Sequence, residues 1–99
     1  MTLIMRERVR DYDAWKSVFD GGEPHRAKHG CSGHVIYRSD DDGNDLTVHL
    51  RFPSPEAGDT FLADPELAAN MKRAGVETQP TVTWVRDGEA LTYAGRRAA

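Results

Sequence analysis

Two short runs of alternating apolar and polar residues, Gly33 to Ser39 and Leu46 to Phe52, flank the segment Asp40-Asp41-Asp42-Gly43-Asn44-Asp45. Aspartate, glycine and asparagine favour tight turns and tolerate positive φ, so the whole stretch predicts a β-hairpin. The period of two then decides which side chains share a face. With the turn over Asp40 to Asp45, Ser39 faces Leu46, and antiparallel pairing sets Tyr37 against Val48, Val35 against Leu50 and Gly33 against Phe52. That face is apolar. The opposite face carries Arg38 beside Thr47, Ile36 beside His49 and His34 beside Arg51.

The rest of the chain supplies elements to cover the apolar face. Leu3 to Val9 alternates as a strand, and Asp11 is placed to cap a helix whose apolar positions Tyr12, Trp15, Val18 and Phe19 recur at helical spacing. Gly21-Gly22 should interrupt that helix, with Pro24 opening a second short turn that stops at Gly30. After the hairpin, Ser54 can cap a helix carrying Phe61 and Leu62. Asp64-Pro65-Glu66 then starts another, with Leu67, Ala68, Met71 and Ala74 inward and Gly75 at its end. Thr81 to Arg86 reads as a strand, and Asp87-Gly88 predicts a turn into an extra strand over Glu89 to Tyr93, paired locally or with another subunit. The order is βαββαβ plus one strand: a single ferredoxin-like α+β domain over residues 1–99 with an antiparallel sheet.

A sheet of this size buries its apolar side under helices and leaves the other side free. In the first strand Leu3, Met5 and Val9 suit the helix side, which leaves Ile4, Arg6 and Arg8 on the free face; Glu7 breaks the pattern. The free face would then gather Arg6, Arg8, Arg38 and Arg51 with His34 and His49. Two readings stay open for it: a solvated sheet face, or the lining of a cavity closed by a partner.

Composition removes several function classes. The formal charge is −3 and the basic residues are scattered, which argues against a nucleic-acid surface built on phosphate neutralisation. The start lacks the apolar core of a signal peptide and no later segment is long enough to span a bilayer, so a cytoplasmic location without membrane contact is expected. The single cysteine, Cys31, excludes an internal disulfide and reads as a small loop residue between Gly30 and Ser32. His25 and His29 lie four apart, with Cys31 and His34 close behind, which is a weak metal signal. The segment lacks the glutamate of a zinc-protease helix and is charged, so metal is kept only as an alternative. No glycine-rich phosphate loop or nucleophile elbow is present, and no cofactor is expected.

On the free face His49 is the first candidate for a general acid or base, because imidazole titrates near neutral pH. His34 is a second, at the strand start. Arg51, Arg6 and Arg38 can hold an anionic oxygen, with Ile36 and Thr47 lining the same face; solubility and ion pairing are their plainer roles. Trp84 either lines a pocket or packs under the helices, the second being the commoner fate of an aromatic on an alternating strand.

The segments Val9-Arg10-Asp11-Tyr12-Asp13-Ala14-Trp15-Lys16, Phe19-Asp20, Val35-Ile36-Tyr37-Arg38, Asp41-Asp42-Gly43-Asn44, Phe61 and Met71-Lys72-Arg73-Ala74-Gly75-Val76 together carry a resemblance. The chain, from its first strand to about Val85, resembles the small dimeric α+β barrel proteins related to antibiotic-biosynthesis monooxygenases and cyclase-like proteins. The resemblance implies a homodimer and a pocket between the sheet and its helices, or between facing sheets, for a flat polyketide-like or other aromatic substrate. It implies cofactor-free oxygenation or cyclisation; with the free-face candidates above, the expected reaction has His49 moving a proton on an enolisable or phenolic molecule while Arg51 stabilises the anion. A non-catalytic ligand-binding or stress-response barrel is the rival, since fold alone does not set function. The first strand has Arg6 and Arg8 and no Asn, a departure from the pattern of the haem-degrading branch.

Overall fold

The structure is a computed structural model and describes residues 1–95. The elements run β1 (Thr2–Arg8), α1 (Tyr12–Gly21), α2 (Glu23–Lys28), β2 (Gly33–Arg38), β3 (Asp45–Arg51), α3 (Pro55–Ala63), α4 (Pro65–Ala74) and β4 (Thr81–Val85). The four strands form one antiparallel sheet in the order β2-β3-β1-β4. This is the expected ferredoxin-like α+β arrangement.

The helix boundaries follow from local chemistry. Asp11 accepts from the Ala14 backbone N–H at 2.9 Å and starts α1; Ser54 accepts from Ala57 at 3.2 Å and starts α3. Asp64 accepts from Glu66 at 3.0 Å and starts α4, which Gly75 ends in the left-handed region at φ 79. The Gly21-Gly22 pair divides α1 from α2, with Pro24 in the first turn of α2. The core lies between sheet and helices: Leu3, Met5, Leu46, Val48 and Leu50 from the sheet meet Trp15, Phe61 and Ala74 from the helices.

The hairpin register differs from the expected one by a residue. Arg38 pairs with Leu46, Ile36 with Val48, His34 with Leu50, and Tyr37 with Thr47. The turn is shorter than its composition implied. The Asp42 carboxylate accepts from the Asn44 N–H at 3.0 Å, and Ser39 donates to the Asp45 carbonyl at 2.9 Å, so Asp45 joins β3. Asn44 is fixed from outside as well, because its carbonyl accepts from Val9 and its side chain accepts from the Tyr12 N–H. A slip of one residue exchanges the faces of β2. His34, Ile36 and Arg38 therefore turn to the helix side, which corrects their expected place on the free face, and Val35 and Tyr37 are exposed on the free side.

The extra strand over Glu89 to Tyr93 is not formed; residues 86–93 are irregular. Asp87 pairs with Arg51 at 2.8 Å rather than turning a hairpin. No helix is long and apolar enough to cross a membrane among the described residues.

Candidate active site

Strand β1 places Leu3, Met5 and Glu7 on the helix side, opposite Leu50, Val48 and Leu46 of β3. Glu7 is 6% exposed, as deep as the hydrophobic residues beside it. Above it lie Trp15 of α1 and the apolar side of α4. The space left between them is a small cavity of about 70 Å³, lined mainly by apolar side chains, with Glu7, His25, Arg26 and Asn70 as the polar groups. A carboxylate among apolar walls is poorly solvated, and burial pushes the Glu7 carboxyl up to about 7, with a hydrogen bond from the Trp15 indole opposing the rise. Its Oε2 has no hydrogen-bond partner, the only such buried side-chain oxygen or nitrogen among the described residues. Glu7, itself buried, is thus poised to gain or lose a proton near neutral pH.

Arg26 sits at the α2 wall of the cavity. Its Nη1 donates to the Phe19 carbonyl at 2.7 Å, and its guanidinium lies 3.8 Å from the centre of the Phe19 ring. Burial lowers its pKa, and Cys31, Glu23 and Asp20 oppose that shift. A partly desolvated guanidinium is a strong partner for an anion. Across Met5, Leu67 and Met71, which line both spaces, an open groove of about 450 Å³ runs along α4 to Thr78 and Val82.

The expected site residues divide between the two faces of the sheet. His49 and Thr47 stand on the free face, where the His49 ring meets Tyr37 edge-on at 5.1 Å. Arg6 and Arg51 share that face, but each is engaged: Arg6 with Asp45 at 2.9 Å, and Arg51 with Asp87 at 2.8 Å. Both pairs are exposed to solvent. On the helix side, Arg38 donates to the Gly43 carbonyl and lies over the Tyr12 ring, so it braces the turn. Ile36 packs against the core, and His34 meets the Phe19 ring edge-on at 4.9 Å, its pKa lowered by burial and then by Arg26 and Lys16. Trp84 packs against α3 at Gly58 and against Phe52, the packing role rather than the cavity. Cys31 donates to the Gly33 carbonyl, while His25 and His29 converge on Asp64.

The expected residues therefore do not form one constellation. The group that sequence reasoning passed over is Glu7. Its signal was the break it makes in an otherwise regular apolar register: an acid at a position that strand alternation assigns to the core.

No protein-family model matches the sequence, and no curated protein matches it. Solved structures do match in three dimensions. SnoaB, a cofactor-independent oxygenase from Streptomyces nogalater, superposes with a TM-score of 0.69 at 20% identity, over 88% of this chain and 93% of that one. A putative antibiotic biosynthesis monooxygenase from Bordetella bronchiseptica gives 0.75 at 14% identity, over 89% and 96%. Rv0793 from Mycobacterium tuberculosis gives 0.64 at 26% identity, over 91% and 97%. The chain has the α+β fold shared by the antibiotic biosynthesis monooxygenase-like proteins.

Proposed function

We propose that this chain is a cofactor-independent small-molecule enzyme of the monooxygenase or cyclase type, with Glu7 as its general base. The carrying observation is a buried carboxylate without a partner on Oε2, raised to about 7, in an apolar cavity. A base of that strength can take a proton from an enolisable carbon or a phenol and remain half ionised at neutral pH. The resulting enolate or phenolate is electron-rich enough to react with dioxygen or to close a ring on an internal carbonyl. Arg26, on the α2 wall, supplies positive charge towards the anion. The likeness to SnoaB, a cofactor-independent oxygenase, supports this type of chemistry.

The cavity of about 70 Å³ is smaller than the roughly 300–1,000 Å³ of ordinary ligand sites. A polyketide-like substrate would displace Met5, Leu67 and Met71, joining the cavity to the groove beside α4. Methionine suits such a partition, being unbranched and adaptable.

Dioxygen uptake together with mass analysis of the products, for a panel of phenolic, polyketide-like ketones without added metal or flavin, tests the assignment, a gain of oxygen marking oxygenation and ring closure without it marking cyclisation. Wild type should turn over at least one of them, and Glu7→Gln should lower kcat by roughly 10²–10⁴-fold with ligand affinity changed only a few-fold. Turnover undiminished in Glu7→Gln but lost in His49→Ala would move the chemistry to the free face, where His49 and Tyr37 meet. Tight binding with no turnover would leave a non-catalytic ligand-binding protein.

The same reading takes the active form as a homodimer joined through the free sheet face, where Val35 and Tyr37 are 45% and 53% exposed.

A further inference from the structure

Beyond the cavity's α2 wall, two imidazoles and one carboxylate meet at a point. His25 in α2 and His29 at its C-terminal cap are four residues apart, and each Nε2 lies within hydrogen-bond distance of the same oxygen, Asp64 Oδ2, at 3.0 and 2.8 Å. The two rings stand edge to face at 5.1 Å, and both rest on Phe61, at 5.5 and 5.8 Å. The side chains are 4%, 9% and 18% exposed for His25, His29 and Asp64. The donor atoms of all three lie within 4.8 Å of one another.

We propose that His25, His29 and Asp64 form a binding site for a divalent transition metal, zinc being the ion their donors suit best. Zinc bound to imidazole nitrogen and carboxylate oxygen sits about 2.0–2.2 Å from each, which sets neighbouring tetrahedral ligands roughly 3.3 Å apart. The observed separations of 2.8 and 3.0 Å are already within a few tenths of an ångström of that spacing. Binding replaces the two Nε2···Oδ2 contacts with metal–nitrogen bonds: a neutral ring with its proton on Nε2 shifts it to Nδ1 through solvent, and a protonated ring releases its Nε2 proton to solvent and keeps the one on Nδ1. Two imidazoles with a carboxylate select against magnesium and calcium, which prefer oxygen-only shells.

Two further features favour an ion there. Asp64 is held in place by its other oxygen, Oδ1, which accepts from the Glu66 N–H at the start of α4. Glu66 Oε2 stands 3.7 Å from His25 Nε2 on an exposed side chain free to rotate, which offers a fourth ligand in place of water. Lys28 Nζ lies 3.8 Å from Asp64 Oδ2, but its side chain is 66% exposed and can swing into solvent when an ion takes its place. Cys31 is outside the set, its thiol turned to the Gly33 carbonyl. The ion would tie α2 to the α3–α4 junction, and because His25 also lines the Glu7 cavity, it would stiffen one wall of that cavity.

Zinc titration of the tag-free, chelator-stripped chain, by calorimetry and by cobalt(II) absorption, tests the site. Wild type should bind one ion per chain and melt at a higher temperature in zinc. His29→Gln and Asp64→Asn should each weaken binding at least 100-fold, while Cys31→Ser and His49→Ala bind as wild type. Asparagine still caps a helix, so Asp64→Asn keeps the test valid if His29→Gln fails to fold. Absence of zinc binding in wild type, affinity unchanged in Asp64→Asn, or binding lost in Cys31→Ser would overturn the proposal. Zinc binding and the Glu7 assignment are read by separate measurements and fail separately.

Discussion

Glu7 opposes folding whenever it is ionised. Its pKa rises from 4.5 in the unfolded chain to about 7 in the fold, and each unit corresponds to about 1.36 kcal/mol, so the ionised carboxylate destabilises the native state by about 3 kcal/mol. The sign follows from proton binding. Between pH 4.5 and 7 the folded state holds more protons than the unfolded one, so stability is fully present below the unfolded pKa and falls as pH rises through the folded value. A charged group kept in such a place points to use rather than packing, since any apolar residue of similar size would serve the core better. Gly58 illustrates the opposite, a purely steric demand. A Cβ on it would run into the ring of Trp84, so Gly58→Ala loses more to overpacking than it gains in helix propensity. We expect it to destabilise the fold by about 1–3 kcal/mol, read as a lower urea midpoint at unchanged slope.

At the scale of elements, the sequence was most readable where local chemistry acts alone. Asp11, Ser54 and Asp64 cap the helices they were expected to cap, and Gly21-Gly22 and Gly75 end helices where glycine should. The β2–β3 hairpin was legible as a hairpin but not in register, because the register depends on distant partners: the hold of Arg6 on Asp45 and of Val9 and Tyr12 on Asn44. The alternation of β3 was informative, since Leu46, Val48 and Leu50 are buried under either pairing. That of edge strand β2 was not, because its two faces are almost equally exposed, and so His34, Ile36 and Arg38 were assigned to the wrong side. The candidate site suffered from the same cause. Histidines and arginines on the free face attract attention by residue type, whereas Glu7 becomes significant only once its burial and the cavity around it are known. His25 and His29 were visible as a pair, but their third partner, Asp64, lies 35 residues beyond His29 and entered as a helix cap.

At the scale of the whole molecule, one layer of helices covers one face of the sheet, while Val35 and Tyr37 stand exposed on the other. The homodimer proposed above would bury Val35, Tyr37 and Val85, all exposed on that face. Light scattering should give twice the 11.0 kDa chain mass, and Tyr37→Arg should lower it towards that of one chain; a wild-type mass of 11.0 kDa would refute the pairing. Glu7 is the proposed base, and global stability reports its protonation without any knowledge of the substrate. The measurement is the unfolding free energy of wild type and Glu7→Gln across pH 5 to 8. Wild type should lose stability over this range and Glu7→Gln should not, with the variant the more stable by about 2–3 kcal/mol at pH 8. Parallel curves for the two proteins would mean that Glu7 titrates as it does in the unfolded chain, and the cavity would hold no base suited to neutral pH.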